Sequence, residues 1–464
     1  MPRRPALDRQ TLLALGPDHL ADLLLELAGS DPAIQRQLRL AVASRSGPED
    51  AAALVRQQFG SIRGSRSFID RQQLRALAKD LLRQLDAIRG PIATSDPSLA
   101  LALLWEFLAL SRNVLSRCDD SNAEMDELFR EACHALPPVV QAARPEPAAL
   151  ARQVFEAHCH DDDGIVHGLI GKLAESLGPT GLAALRQQFE QLAQQPVTVP
   201  PQEEQSRFWT AQSGLRAVAE AMGDVDGYIA QYSERQRRVP RIAAGIAQRL
   251  LKVGRAEEAL RFLQEGSPER SPWPVLDWED AQIAALEVLG RTDEAQAARW
   301  HWFEQTLMET YLRDYLQQLP AFEDGEAEQR AIDFVAASPD LYAALSFLLE
   351  WPTGLHRAAQ VIVQRHGELN GAHDELFDTA AERLSADHPL AATLALRCMV
   401  DFALTNGYSS QYGAAAGHLH TCQLLSSRIS DWGEIPPHEA YLAAIRSTHA
   451  RKRGFWSKAR PLGL

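Results

Sequence analysis

One short segment concentrates side chains that bind metals. The run HCHDDD occupies residues 158–163 and is followed by Gly164 and then by His167. Asp163 and His167 lie four residues apart, so they would share one face of a helix that begins near Gly164. Imidazole and carboxylate groups are ligands of zinc. The candidate metal ligands are therefore His158, His160, Asp163 and His167, and a metal-dependent enzyme is one function that they suggest.

A structural interpretation of the same segment is simpler, and we prefer it. Neighbouring side chains of an extended segment diverge, and no second ligand pair lies at a recognised zinc spacing. A calcium loop with Gly164 at its sixth position would need a carboxylate in place of Cys159 and a Glu in place of Ile170. We expect the aspartates to cap the following helix and the histidines to face solvent. No metal or other cofactor is predicted.

A second segment, near the C-terminus, mixes cations with aromatic rings. Residues 441–464 contain six Lys or Arg and no Asp or Glu. Such a mixture can bind phosphates and stack on bases, which makes a nucleic-acid-associated accessory protein an alternative function. We prefer packing of the two aromatic rings onto the preceding hairpin, with the arginines near the negative end of the last helix. The candidate partner-binding residues are Arg451, Lys452, Arg453, Phe455 and Trp456.

Aromatic residues also recur at helical offsets between residues 300 and 315. They are Trp300, Trp302, Phe303, Tyr311 and Tyr315. Such a stripe is usually part of a core. If part of it is exposed on a repeat array, its rings are candidate anchors for a peptide or a helix.

Motifs of the common enzyme classes are absent. The sequence contains no G-x-x-x-x-G-K-[ST] phosphate loop, no G-x-S-x-G nucleophile elbow, and no G-x-G-x-x-G opening a helix after a strand. The segment that begins at His438 and Glu439 has Leu442 where the H-E-x-x-H motif needs its second histidine. We therefore predict no catalytic residue, and a protein that is not an enzyme.

The elements that position these residues are predicted to be helices. Apolar residues recur at helical spacing nearly throughout, and no convincing strand pattern is found. Helix breaks are predicted at Gly29–Pro32, Gly90–Pro91, Pro137–Pro138, Gly178–Pro179 and Asp387–Pro389. The predicted fold class is all-α: a helical bundle followed by tetratricopeptide-like α-α hairpin repeats, an α-solenoid.

A weak internal repeat supports the hairpin array. The motifs GDVDGYI, GRAEEAL and GRTDEAQ begin at Gly223, Gly254 and Gly290, at offsets of 31 and 36 residues. Each glycine would take the left-handed conformation that ends one helix and reverses the chain. Ala259 and Ala295 occupy the sixth position of their motifs, where a small side chain allows close helix approach. These spacings are near the period of about 34 residues of tetratricopeptide arrays.

A proline-rich segment suggests where the chain divides. Residues 194–201 read QQPVTVPP, a run that cannot continue a helix. We predict an N-terminal helical domain over residues 1–195 and a helical repeat domain over residues 196–464.

Charge and cysteine content bear on compartment and partners. The formal net charge is −14, so the overall field repels nucleic acid and anionic membranes. The five cysteines form no C-x-x-C pair, so a disulfide framework is not expected. The strongest apolar run, SLALALLWEFLAL, is interrupted by Glu106, and we predict no membrane span. The cytoplasm is the expected compartment.

Several blocks of the sequence carry a family resemblance. HLADLLLELAGSDPAIQRQLRLA, RIAAGIAQRLLKVGRAEEAL and HPLAATLALRCMVDFAL are among them. In this order, over nearly the whole chain, they resemble an uncharacterised bacterial domain-of-unknown-function family of the 6880 type. The resemblance implies an all-helical, repeat-like fold and no known activity. The predicted function is a non-catalytic scaffold or adaptor that binds a protein or peptide partner, which rests on analogy between folds.

Overall fold

The structure is a computed structural model that describes residues 8–194, 201–268, 275–320 and 322–464. Within these ranges the regular elements are helices, and the only β pairing is an isolated bridge between Ile69 and Cys118. The predicted all-α fold class is confirmed.

The chain divides into two compact units, Met1–Glu234 (the first unit) and Arg235–Leu464 (the second unit). The helices of the first unit are α1 Arg9–Leu13, α2 Pro17–Ser30, α3 Pro32–Ser46, α4 Pro48–Gly64, α5 Arg71–Ala87, α6 Ala93–Ser95, α7 Pro97–Leu108, α8 Ser111–Leu115, α9 Glu124–Ala143, α10 Pro147–Cys159, α11 Leu169–Lys172, α12 Ala174–Gln194, α13 Pro201–Ala221 and α14 Val225–Ala230. A short helix, α15 Glu234–Arg237, lies at the division.

The helices of the second unit are α16 Pro240–Lys252, α17 Ala256–Glu265, α18 Leu276–Val288, α19 Thr292–Thr306, α20 Glu309–Gln317, α21 Asp324–Ala336, α22 Leu341–Glu350, α23 Leu355–Gln364, α24 Asp374–Leu384, α25 Pro389–Asn406, α26 Tyr412–Ser426, α27 His438–Thr448 and α28 Arg453–Ala459. Most neighbours along the chain also pack against each other. The predicted domain boundary between residues 195 and 196 lies outside the described residues and stays a prediction. The helices on either side of it, α12 and α13, pack together within the first unit.

Most of the predicted helix breaks are found. Helix α2 ends at Ser30 before α3 begins at Pro32, and α24 and α25 are separated by the predicted break before Pro389. Helix α12 has a non-helical residue at Gly178. The predicted break at Gly90–Pro91 is wrong, because a π-helical turn over Ile88–Ile92 carries the chain from α5 into α6 without leaving the helical conformation.

The predicted break at Pro137–Pro138 is wrong. Helix α9 continues through both prolines to Ala143. Each proline removes a backbone hydrogen bond, but Leu136, Val139 and Val140 on the same turns are buried in the core. Burial of this apolar face offsets the lost hydrogen bonds, since helical stability in proteins comes mainly from tertiary packing.

The three repeat glycines adopt the predicted left-handed conformation. Gly223, Gly254 and Gly290 have φ values of 67°, 76° and 68°. In each case the residue after the glycine donates its backbone N–H to a carbonyl five residues earlier, at 2.8 to 2.9 Å. This is the 6→1 hydrogen bond that ends a helix in a Schellman motif. Ala259 and Ala295 are fully buried, as their place in the motif predicted.

Replacing Gly254 with alanine is expected to lower the free energy of unfolding by about 1–2 kcal/mol, because the left-handed conformation strains a residue with a Cβ. The matched control is Gly417→Ala in α26, where an added Cβ meets no atom within 4 Å and φ is not positive. That control should stabilise the chain by about 0.5–1 kcal/mol through helix propensity. Urea denaturation measures both changes, and destabilisation of equal size at the two positions would contradict this account of the turns.

In the first unit, α7 is the helix that fits a membrane span by length and composition, as part of the segment Pro97–Leu115. Its Leu103, Leu104 and Phe107 are fully buried, and it packs against α4 and α9. The Phe107 ring lies 5.8 Å from Phe59 and 5.5 Å from Phe129, measured between centroids. Among the described residues, this segment is the one that is long and apolar enough to span a membrane. Its helix α7 belongs to the core of the first unit.

Candidate functional site

The first of the predicted metal ligands, His158, connects three helices of the first unit. Its Nε2 lies 2.9 Å from Ser213 Oγ, and its ring contacts Phe189 edge-on at 5.1 Å. Ser213 donates its hydroxyl proton to the Thr210 carbonyl at 3.0 Å. The His158 Nε2 therefore donates to Ser213, and the ring joins α10 to α12 and α13.

The aspartates of the same segment have separate roles. The Asp161 carboxylate accepts hydrogen bonds from the backbone N–H groups of Ile165 at 2.7 Å and Val166 at 3.0 Å. Asp162 forms an exposed ion pair with Arg112 at 2.8 Å. Asp161 thus holds the turn that precedes α11, but α11 has no side-chain cap, so the expected capping of the following helix is wrong. The expectation that the histidines face solvent is wrong for His158, whose ring packs against Phe189.

The four candidate metal ligands do not converge. His160 Nδ1 lies 2.7 Å from the Glu156 carbonyl of its own helix, while Asp163 and His167 are exposed. In the part of the chain that the structure describes, no group of three or more His, Cys, Asp or Glu side chains is placed to hold a metal ion.

Burial makes His158 a source of acid sensitivity. Desolvation holds the pKa of His158 below the ordinary value of about 6.5. Below that pH the unfolded chain binds a proton that the folded chain does not, so stability falls as the pH falls. We expect the free energy of unfolding of His158→Gln to decline less steeply than that of the wild type between about pH 7 and pH 5.

Ser213→Ala is the control, because it removes the hydrogen bond and keeps the buried imidazole. It should lower stability at every pH and keep the wild-type decline. Chemical denaturation across this pH range measures both variants. Parallel curves for His158→Gln and the wild type would show that His158 does not cause the acid sensitivity.

The basic C-terminal segment folds onto α26 of the second unit. Phe455 is fully buried, with its ring centroid 6.0 Å from Tyr412 and 5.0 Å from Trp456. The Trp456 indole N–H donates to the His449 carbonyl at 3.0 Å. Arg451 and Arg453 are exposed, and Lys452 lies partly buried beside Tyr412. Arg451 and Arg453 thus face solvent while Phe455 is enclosed, and an enclosed ring cannot stack on a base.

The aromatic stripe divides between a core and two surfaces. Phe303 and Tyr311 are buried, and the Tyr311 hydroxyl donates to the Glu279 carboxylate at 2.9 Å. Trp302 is partly buried and lines a cavity between α17, α18 and α19. Trp300 and Tyr315 line a separate groove.

We name this second cavity the Trp300 groove. Its volume is about 560 Å³, and the side chains that shape it are Trp300, Glu304, Tyr315, Leu319, Arg330 and Phe334. They come from α19, from α20 and the turn after it, and from α21. Three successive stretches of the repeat array thus build one groove.

The aromatic platform of the Trp300 groove is held by polar contacts. The Arg330 guanidinium lies 4.3 Å from the Trp300 ring centroid and donates to the Tyr315 hydroxyl at 3.1 Å. The Trp300 indole N–H donates to Glu304 Oε1 at 2.6 Å. Phe334 remains 39% exposed at the groove. The groove therefore combines a fixed aromatic face with an exposed apolar ring, which suits an inserted side chain.

The periodic pattern gave Trp300 and Tyr315 but missed Arg330 and Phe334. These two residues lie on α21, beyond the aromatic stripe. No local spacing connects them to Trp300, and only the packing of α21 beside α19 and α20 brings them together. The one sequence feature that could have indicated this part of the groove is that Phe334 is an aromatic residue on the helical segment that follows the stripe.

The second unit also contains a buried arginine that no motif indicated. Arg397 of α25 is only 4% exposed and lines a cavity of about 430 Å³ with Asp401 and Tyr441. Among the described residues its side chain makes one hydrogen bond, to the Pro436 carbonyl at 2.8 Å. A buried guanidinium with few partners is uncommon in native structures.

Comparison with known proteins gives a family and little about function. No curated protein matches the sequence. One solved structure, described as "Circular tandem repeat protein with novel repeat topology and enhanced subunit contact surfaces", is similar at 15% identity over 94% of this chain and 96% of that chain, with a TM-score of 0.17. The model of the "Family of unknown function (DUF6880)" matches residues 2–458. The chain therefore belongs to this family of unknown function.

Proposed function

We propose that the chain is a non-catalytic, tetratricopeptide-like scaffold or adaptor of the cytoplasm that binds a basic segment of a protein partner in the Trp300 groove. The observation that carries the proposal is the Arg330–Trp300–Tyr315 platform beside the exposed Phe334. Interfaces draw most of their binding energy from a few aromatic and arginine side chains in such pockets. An aliphatic or aromatic side chain of the partner would occupy the groove.

Charge around the Trp300 groove selects the kind of partner. Residues 276–350 contain sixteen Asp or Glu and four Lys or Arg, which gives a formal net charge of −12. A field of this sign attracts a basic segment and repels nucleic acid. Association should therefore slow and weaken as salt is added, because rim charges are screened over a Debye length of about 8–10 Å.

The two alternative functions have less support. A nucleic-acid accessory role requires rings that can stack on bases; of the two rings of the basic C-terminal segment, Phe455 is enclosed and Trp456 is only partly exposed. A metal-dependent enzyme requires convergent ligands, and His158 and His160 are each hydrogen-bonded to separate groups. The exposed cations Arg451 and Arg453 remain available to contact an acidic surface.

Selection of random peptides displayed on phage against the full-length chain tests the proposal. Enriched peptides should carry one large apolar residue flanked by Lys or Arg. Their affinity should fall with added salt and should depend on Phe334. Enrichment of acidic peptides, or of peptides whose affinity is unchanged by substitution of Phe334, would overturn the proposal.

A further inference from the structure

The Arg397 guanidinium is buried and makes no ion pair within the described residues; the negative charge of Asp401, one turn along α25, acts on it without a direct contact. His438 is 3% exposed, and neither ring nitrogen has a hydrogen-bond partner within the residues that the structure describes. Burial together with the charge of Arg397 lowers the pKa of His438. A neutral imidazole carries no negative charge that could balance the Arg397 guanidinium. Burial of an unpaired charge is costly, so a partner for Arg397 is expected.

Two aromatic rings lie beside this guanidinium. Its Cζ lies 4.9 Å from the Trp432 ring centroid and 4.3 Å from the Tyr441 ring centroid. Nη1 donates to the Pro436 carbonyl. Nε and Nη2 have no hydrogen-bond partner in the described part of the chain and are shielded from solvent. With Nη1 bonded to Pro436, one edge of the guanidinium, the Nε–Nη2 edge, is left unused.

A carboxylate is the chemical group that matches the unused Nε–Nη2 edge. Two parallel N–H groups of a guanidinium match the two oxygens of a carboxylate, and a planar fork binds this anion better than a point charge does. Shielding from solvent strengthens such a pair. Asp401 is exposed at the same cavity and accepts a hydrogen bond from the Tyr441 hydroxyl at 2.8 Å. Its negative charge repels a phosphate dianion more strongly than a monoanion such as a carboxylate.

We propose that the Arg397 cavity binds a small carboxylate, with its two oxygens on the Nε–Nη2 edge. Asn370, Thr405 and Asn406 line the cavity and supply hydrogen bonds to the rest of the ligand. An ammonium or hydroxyl group on the ligand would face Asp401, as in an α-amino acid. Because Nε and Nη2 are shielded from solvent, entry of the carboxylate requires the partly exposed Tyr441 ring to rotate away from the guanidinium. This site does not depend on the Trp300 groove.

Thermal unfolding of the full chain tests the proposal, with acetate, glycine, glutamate and inorganic phosphate as probes and sodium chloride as the ionic-strength control. At about a hundredfold excess over Kd, a carboxylate should raise the wild-type Tm by about 5 °C or more. Arg397→Lys keeps the charge and loses the fork, so its response should disappear.

Arg397→Met is the control for misfolding, because an apolar replacement of a buried, unpaired charge is often neutral or stabilising. It should melt at or above the wild-type temperature without ligand and should not respond to carboxylates. An equal response in either variant, no carboxylate effect beyond that of sodium chloride, or a larger effect of phosphate would overturn the proposal. None of these results depends on peptide binding at the Trp300 groove.

Discussion

Replacing Phe334 with serine should weaken the binding of peptides selected on the Trp300 groove by about thirtyfold, which corresponds to a hot-spot loss of about 2 kcal/mol. Phe334 is the exposed ring of the groove, so its truncation removes apolar contact with the partner. The platform formed by Trp300, Tyr315 and Arg330 is untouched. Fluorescence anisotropy of a labelled, selected peptide measures the change.

Phe322→Ser is the matched control for this prediction. Phe322 is 81% exposed and does not line the Trp300 groove, so the same chemical change there should leave the peptide affinity within about twofold. Circular dichroism would establish that both variants keep the wild-type helix content. Equal losses at positions 322 and 334 would show that binding follows general surface hydrophobicity instead of the groove.

The largest expected effect on stability is at Phe455. Phe455→Ala should lower the free energy of unfolding by about 3–5 kcal/mol, because it removes a fully buried ring from between Tyr412 and Trp456. The buried side chains of this cluster, which include Leu419, Ile445 and Leu464, would then face a cavity. Urea denaturation followed by tryptophan fluorescence measures the loss.

Phe322→Ala deletes the same atoms from an exposed position and should change stability by less than about 0.5 kcal/mol. A similarly small effect of Phe455→Ala would mean that the C-terminal segment does not pack on α26. The ring would then be free to contact a partner, and the nucleic-acid function would gain support.

The parts of the fold that depend on local chemistry were predictable from the sequence. The left-handed glycines of the repeat and the buried alanines at Ala259 and Ala295 follow from conformational freedom and side-chain size. The prolines of α9 show the limit of such local rules. Whether a helix survives Pro137 and Pro138 depends on the core that covers Leu136 and Val139, and a local pattern does not contain that core.

Candidate sites depend on contacts between distant segments and were harder to predict. His158 drew attention because of its neighbours in the sequence, yet its hydrogen-bond partner is Ser213, 55 residues away. The sequence did not indicate Arg397 as a site residue, because a single arginine in an apolar helix is not part of any motif. Its unused edge results from Trp432, Pro436 and Tyr441, which reach it from later segments.

The position of partner contact can be measured with a photoreactive phenylalanine analogue placed at residue 334 or, for comparison, at residue 322 of the full-length chain in its native cells. We predict a defined protein adduct from position 334 whose cross-linked peptide is rich in Lys and Arg, with no such adduct from position 322. The same adducts from both positions, or adducts only from position 322, would contradict a partner-binding role of the Trp300 groove.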